Sequence, residues 1–430
     1  AIIFLVFSRT SPMSLHSIRH VGALTTTLLL SGLPAANAQE VDPLALQSAP
    51  VAAPGAGGAP GRLYVEGAFG SAQRRYGLGA ESVRRLSLDF NQSIRVGSAW
   101  SLVLSDRLDY VKPAETGQDS TVNSLREAYA TWRDLDRGLV FDLGRVNARY
   151  GTAYGYNPTD FFRGGSIRSA TSDDPFAQRE NRLGTVMLRV QTLWAGGSAA
   201  IAVAPKLGTN PNPGSFNADL GSTNGARKAL ATISQKLSDQ VSGQALLFND
   251  RDRGTQFGLN MTALLSSAIV GHVEWAAGSD EAQFSAKNVH RNRVAIGATY
   301  TLPTSMALTF EYQFNGFAPD KSAWWQAYAA DPAGIASYLT EVQRRQEIAS
   351  RSAFLIYATQ RNAWMKNLDL TGFVKLNLED HSRLTWVEAR YHWPEFDAAI
   401  QWRSSIGAAG SEFGLTPRRE VLQIVAARYF

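Results

Sequence analysis

The chain has 430 residues, with 42 Lys and Arg against 37 Asp and Glu, no cysteine, and 44% hydrophobic residues that include 10 Trp, 14 Tyr and 20 Phe. The small basic excess argues against a nucleic-acid partner, and the lack of cysteine excludes a disulfide framework, a thiolate metal site, an acylated lipobox and a cysteine nucleophile. Beyond the N-terminal region no run of about eighteen apolar residues occurs, so spanning helices are excluded, and the abundant aromatics and glycines call for many short strands and turns.

Residues 1–12 read as upstream sequence ahead of a start at Met13. From there to Ala38 a basic stretch (Arg19, His20) precedes an apolar one from Val21 to Leu33, and Ala36-Asn37-Ala38 fits a small-x-small cleavage site. That pattern predicts a secretory signal peptide over 13–38 rather than an anchor, because its apolar core is too short to span a bilayer. Residues 39–61, rich in Ala, Pro and Gly, read as a flexible periplasmic leader.

From 62 to 430 period-two segments follow one another. In 85–96, Leu86, Leu88, Phe90, Ile94 and Val96 share one face, and Arg85, Ser87, Asp89, Asn91, Ser93 and Arg95 share the other. Phe257, Leu259, Met261, Ala263 and Leu265 alternate with polar residues in the same way, as do Met306, Leu308, Phe310, Tyr312 and Phe314. In a soluble sandwich the apolar face would meet a second sheet. An export signal, so many strands and the loop pattern below favour a transmembrane barrel, in which lipid-facing and lumen-facing residues alternate along every strand.

Short turns fall at 97–99, 134–138, 195–197, 238–239, 266–268, 302–305, 361–367 and 392–395. Longer connections fall near 75–82, 112–121, 148–182, 206–227, 249–254, 278–291, 316–351, 379–382 and 405–418. Eight turns and nine loops predict eighteen antiparallel strands with both ends in the periplasm, sixteen being the alternative because the segments near 249–254 and 351–364 are weakly patterned. Trp100, Trp132, Trp194 and Trp393 lie beside the short turns, where an interface girdle belongs. Asp106 breaks the alternation between Trp100 and Tyr110, which a bulge or a shifted boundary would resolve.

The last segment, VLQIVAARYF, carries Leu422, Ile424, Ala426 and Phe430 at alternate positions. It resembles the terminal strand signature that marks outer-membrane proteins for the barrel assembly machinery, with Arg428 where an aromatic is usual. The stretch from LREAYATW (125–132) through LGRVNARYGTAYGYNPTDFFRGG (143–165) resembles porin-like barrels and, more distantly, alginate-export-type outer-membrane channels. Over 125–165 that resemblance implies an eighteen-stranded barrel and a diffusion role, and no substrate.

The same motif opens a connection of about thirty-five residues, and loops that long are functional or disordered. Tyr150, Tyr154, Tyr156, Phe161 and Phe162 would anchor it, and Asn157-Pro158-Thr159-Asp160 would turn it. Folded into the lumen it would form a constriction from Arg145, Arg149, Tyr154, Tyr156, Asp160, Arg163 and Arg168, which favours anions. Folded outward, its arginines would bind lipopolysaccharide phosphates. Alternation assigns Arg85, Arg95, Arg107, Glu127, Lys375, Glu388, Arg390 and Arg403 to the lumen wall, where bases and acids nearly balance.

Enzyme readings find little. His272 and Glu274 share a lumen-facing strand, yet nothing marks a nucleophile, and His381 and His392 do not cluster as metal ligands. No cofactor motif is present. Within 316–351, Trp324, Trp325 and Tyr328 precede a helical stretch at 335–348 with Arg344 and Arg345, a candidate lid or plain loop packing. The sequence therefore predicts an outer-membrane channel for small polar solutes, anionic ones included, surrounded by lipid and lipopolysaccharide. An exopolysaccharide-export channel and a non-conducting binding barrel are the alternatives.

Overall fold

A computed structural model describes residues 61–114, 119–134, 136–169, 171–282 and 288–430. The upstream residues, the signal peptide and the leader up to residue 60 lie outside the described residues. Among the described residues, eighteen antiparallel strands follow one another around one sheet. The first five are β1 (Arg62–Arg74), β2 (Ala80–Val96), β3 (Trp100–Lys112), β4 (Thr121–Asp134) and β5 (Leu139–Val146). Next come β6 (Thr185–Trp194), β7 (Gly197–Ala204), β8 (Lys228–Lys236) and β9 (Val241–Asp250). They lead into β10 (Gly254–Ser266), β11 (Ile269–Glu281), β12 (Asn288–Thr301) and β13 (Met306–Asn315). The last are β14 (Ser352–Gln360), β15 (Leu368–Asn377), β16 (Arg383–His392), β17 (Phe396–Ile406) and β18 (Arg418–Tyr429).

Each strand pairs with its sequence neighbours, and β1 pairs with β18 from Tyr64↔Tyr429 to Arg74↔Arg418. The sheet therefore closes and leaves no edge, the condition for crossing hydrocarbon with strands. Connections alternate as expected between eight short turns and nine loops, here L1 to L9 in chain order. The two weakly patterned segments are genuine: β9 ends at Asp250, β10 starts at Gly254, and β14 is a full strand, so eighteen and not sixteen is the count.

Side chains are sorted inside out. Leu86, Leu88, Leu102, Leu104, Ile201, Phe257, Phe310, Ile400, Leu422 and Ile424 are large, apolar and exposed, whereas Asp89, Arg107, Asp142, Asn260, Glu274, Glu311 and Gln313 are buried. Only lipid outside and a polar lumen inside make such a distribution stable. Trp100, Trp194 and Trp393 are exposed beside turns, and Trp132 sits opposite Trp100, its ring 5.3 Å from Phe141.

The Asp106 conflict has a specific origin. The β3–β4 register shifts between Ser105 and Asp106, so β4 carries one extra residue and both Arg126 and Glu127 fall where a single position is expected. The bulge does not turn Asp106 inward. Asp106 stays opposite Phe90 on the outer face, and Asn123 Nδ2 donates to both its oxygens at 3.0 Å.

Short helices occupy the loops: α1 (Pro175–Glu180) in L3, α2 (Leu220–Thr223) in L4, and α3 (Lys321–Ala330) with α4 (Pro332–Arg345) in L7. The helix expected at 335–348 is α4, which starts three residues earlier, and α3 ahead of it was not expected. Asp331 ends α3 and caps α4 through Gly334 N at 2.9 Å, with Pro332 at the first turn, and Gln346 (φ 54°) stops α4 three residues early.

Candidate pore constriction

β5 has only eight residues, and beyond Val146 the chain turns into the lumen as L3 (147–184). Gly151 makes the turn at φ 94°, and a Cβ there would stand 2.4 Å from a Glu274 oxygen. The base of L3 is apolar: Tyr150, Phe161 and Phe162 pack on inward residues Met187, Leu230, Leu246 and Phe248 of β6, β8 and β9. Phe161 stacks on Phe248 with centroids 4.8 Å apart, and such pairs contribute about 0.5–1.5 kcal/mol beyond area burial.

Two wall carboxylates then catch the loop backbone. Glu274 on β11 accepts from Ala153 N (2.6 Å) and Asn157 Nδ2 (3.0 Å), with Thr159 Oγ1 at 3.0 Å. Glu311 on β13 accepts from Tyr154 N (2.6 Å), Gly155 N (3.1 Å) and Tyr156 N (3.2 Å), and also from Gln313 Nε2 at 2.7 Å. Both carboxylates are fully buried. Hydrogen bonds to a charged group contribute about 1.5–3 kcal/mol each, and an uncompensated buried charge costs more, so wall and loop each need the other.

The far end of L3 lies on a second aromatic patch. Tyr154 meets His272 (5.8 Å), Phe176 (5.1 Å) and Tyr357 (5.8 Å), beside the buried Phe373 and Trp386 of β15 and β16. Asp174 accepts from Tyr357 at 3.1 Å, and Asp173 from Arg403 on β17 at 3.1 Å. L3 thus crosses the lumen from β5 past β11–β14 to β17.

L7 clamps it from outside. Arg163 bonds Asn157 O (2.7 Å) and pairs with Glu347, Gln346 Nε2 donates to Ser166 Oγ (2.8 Å), and Gly165 N donates to Arg344 O (2.8 Å). Burial would push the Glu347 carboxyl up, but Arg163 and Arg293 outweigh it and hold the group below its usual value. L7 is itself held by L9, since Trp324 Nε1 donates to Gly410 O at 2.9 Å. A chamber of about 360 Å³ remains between L3, L4 and L7, lined by Phe161, Phe248, Lys228, Asp250, Arg253 and Arg344 among others.

The seven residues expected at the constriction are placed as follows. Tyr154, Tyr156, Asp160 and Arg163 lie in L3 within the barrel, with Tyr156 OH donating to Glu347 and Asp160 2.9 Å from Arg182. Burial lowers the pKa of Arg182 and Arg179, with Asp160 offsetting only part of that. Arg149 is half-buried within reach of the Glu127 charge. Arg168 donates to Gly214 O and Asn217 O of L4, and Arg145, in β5, to Ala218 O.

Of the wall residues, Arg85 pairs with Glu66, and Arg107 with Asp89 (3.1 Å) and Asp109 (3.0 Å). Arg390 pairs with Glu388 at 2.8 Å, Glu127 accepts from Asn147 N at 3.2 Å, and Arg95 and Lys375 take the same inward register. His272 contacts Glu311 (3.2 Å) instead of Glu274, so the conceivable dyad is a loop latch. Sequence reasoning overlooked Arg126, which grips Asp89 at 2.7 and 2.8 Å and Asn181 at 2.7 Å. Its local hint is the adjacent charged pair Arg126-Glu127 inside an alternating strand.

No family model and no curated protein matches the sequence. Solved structures do match the fold. Acinetobacter baumannii OccAB1 is 8% identical with a TM-score of 0.57, covering 86% of this chain and 96% of that one. Pseudomonas aeruginosa OccK11 (OpdR) is 12% identical with a TM-score of 0.52 over 86% and 96%, and P. aeruginosa OccK5 (OpdH) is 11% identical with 0.51 over 86% and 98%. At these identities the likeness concerns the fold. The chain folds as a closed eighteen-stranded β-barrel of the type seen in these outer-membrane porins.

Proposed function

We propose that the protein is a Gram-negative outer-membrane channel through which small polar solutes diffuse passively, anions ahead of cations. One observation carries this reading: a closed barrel of a size that holds an aqueous lumen has polar inner walls and a long loop folded across them. A purely structural barrel has no need of buried carboxylates that hold a loop in mid-lumen.

The direction of selectivity rests on L3. Arg163 there is paired with Glu347, and Arg179 and Arg182 face Asp160, which leaves Arg149 and Arg168 as the L3 bases with no ion pair among the described residues, while Arg107 and Arg390 of the wall pair with wall acids. Charge at a narrow, water-poor site outweighs the same charge in bulk solvent, so the bias is modest and favours anions. Crossing by L3, L4 and L7 favours small solutes over an exported polysaccharide chain of the alginate type. Lipid would cover the apolar belt, lipopolysaccharide the outer rim, and the barrel assembly machinery would read β18 through Leu422, Ile424 and Phe430.

The test is the reversal potential of purified protein in a planar bilayer under a salt gradient. Anion preference that falls in Arg149→Ala is expected. Cation preference in the parent protein would overturn the selectivity reading, and absence of ion current would overturn the channel.

A further inference from the structure

The outer face of β1, β2 and β3 changes character in rows, because residues opposed across neighbouring strands share a face. One row is Gly67, Leu86 and Tyr110, with Leu88 and Leu108 below it. The next row outward is Phe69, Arg84 and Lys112, with Arg84 opposed to both of the others. Beyond it stand Ser71 opposite Ser82, and then Gln73. Phe69, Leu86 and Tyr110 are exposed, as are both bases and the polar residues above them. The face thus runs from apolar through cationic to hydroxyl and amide.

The basic row lies at a defined depth. Trp100 is exposed beside the inner turn and is opposed by Val96. Arg84 and Lys112 each stand twelve positions outward from these two residues along their strands. On strands tilted by about 40° that is a rise of about 30 Å, the thickness of the hydrocarbon core. The two bases therefore mark the boundary between acyl chains and headgroups in the outer leaflet.

Among the described residues neither Arg84 nor Lys112 makes an ion pair, and like charges directly opposed across a strand pair are destabilising. Arg84 lies over the Phe69 ring at 5.7 Å, which orients the guanidinium without cancelling its charge. The nearby acids are turned away or committed. Glu66, Asp89 and Asp109 face the lumen, where Arg85 and Arg107 hold them, and Glu81 is 2.8 Å from Arg418. Asp106 lies three rows closer to the inner side, and Glu420 stands on β18 beside Gln73, two rows further out. Two bare bases on a lipid-facing wall need an anion, and at that depth the anions are lipid phosphates.

We propose that this face is a docking site for one lipopolysaccharide molecule. Its phosphates lie between Arg84 and Lys112, its acyl chains against Leu86, Leu88 and Tyr110, and its sugars against Ser71, Ser82 and Gln73. Two adjoining bases beneath a polar row suit a sugar that carries phosphates, whereas an ordinary phospholipid brings one phosphate and no sugar. The site depends on the outer-membrane placement and outward loops proposed above, and not on conduction.

The test uses purified, heat-modifiable barrel in detergent micelles with a chelator present, so that divalent cations carry none of the attraction. Fluorescently labelled diphosphoryl lipid A is titrated in and its binding followed by anisotropy. Arg84→Gln with Lys112→Gln should raise the half-saturating concentration at least tenfold. Arg84→Lys with Lys112→Arg, which keeps both charges, should stay within threefold of the parent. So should Arg361→Gln with Lys366→Gln, which removes two exposed bases from the turn between β14 and β15 on the inner side.

Unlabelled lipid A should displace the probe at least tenfold more effectively than phosphatidylglycerol or inorganic phosphate of equal phosphate content. Four results overturn the site: no binding to the parent, equal affinity of the parent and the double glutamine variant, an equal loss in the inner-side variant, or equal displacement by phosphatidylglycerol or inorganic phosphate. Conduction is read separately. A barrel that conducts but fails these titrations loses the site alone, and one that passes them but gives no current loses the channel alone.

Discussion

Glu311 shows how a single side chain sets the lumen. Three successive backbone amides of L3 converge on it, and each would be buried and unpaired without it, at about 1–3 kcal/mol per group. Glu311→Ala should leave the barrel closed, because the strands and not L3 close it. The loop should loosen, and since 1.4 kcal/mol is a factor of ten in population, open-channel current noise should rise severalfold or more. A quiet, unaltered single-channel trace would show that the carboxylate is not the latch. Glu347 gives the pH dependence. Its carboxyl is held below its usual value, so its contribution is complete above the unfolded value near 4.5 and is lost as the pH falls through the folded one. In Glu341, burial raises the pKa, but hydrogen bonds from Arg344 and Arg345 bring it to about 2. The difference in channel noise between the parent and Glu347→Gln should therefore be the same at about pH 7 and pH 5, and should shrink only as the pH falls below about 4.5. Glu347→Gln should show the acid behaviour already at neutral pH. None of these roles was legible locally. Glu274 and Glu311 stand on the polar faces of their strands like any wall acid, and their partners lie 115 to 157 residues away in L3. Arg163 read as a free constriction charge, whereas it is spent on Glu347 and loop carbonyls, so its removal would disturb L3 as well as the field. Arg149 is the cleaner probe of charge.

At the scale of elements, legibility was high wherever a rule is periodic. Strict alternation in β2, β10 and β13 gave both the strands and their lipid faces, and turn chemistry gave all eight turns, since each follows from neighbours in sequence. The break at Asp106 marked a true register shift, although the extra residue lies in β4 and leaves Asp106 on the outside. α3 escaped notice because its aromatics read as loop packing, yet Trp324 is buried against Tyr338 of α4 at 6.0 Å. The topology makes a direct prediction. Ser322→Cys, exposed on α3, should react with a membrane-impermeant maleimide on intact cells, and Ser98→Cys, in the turn between β2 and β3, only after permeabilisation. The opposite pattern would invert the barrel. β18 makes another. Phe430 N donates to Leu63 O at 2.9 Å while its ring faces lipid at 68% exposure, so Phe430→Ala should barely affect the finished barrel. If the assembly machinery reads this strand, the variant should instead delay the appearance of the heat-modifiable band in a pulse–chase. A normal time course would remove the assembly role from β18.

For the whole molecule the decisive relation is between a closed polar cylinder and the loops that cross it. The fold was legible because lipid and water impose opposite demands on alternate residues. The interior arrangement was not, because L3, L4 and L7 are fixed by contacts between distant segments, such as Arg168 with Gly214 and Trp324 with Gly410. The most direct test of a water-filled channel narrowed by L3 is the current of purified, heat-modifiable barrel reconstituted singly into a planar bilayer under a salt gradient. The expected record shows discrete ohmic steps with a reversal potential displaced modestly toward the anion side. A correctly folded barrel that inserts and gives no steps would contradict it.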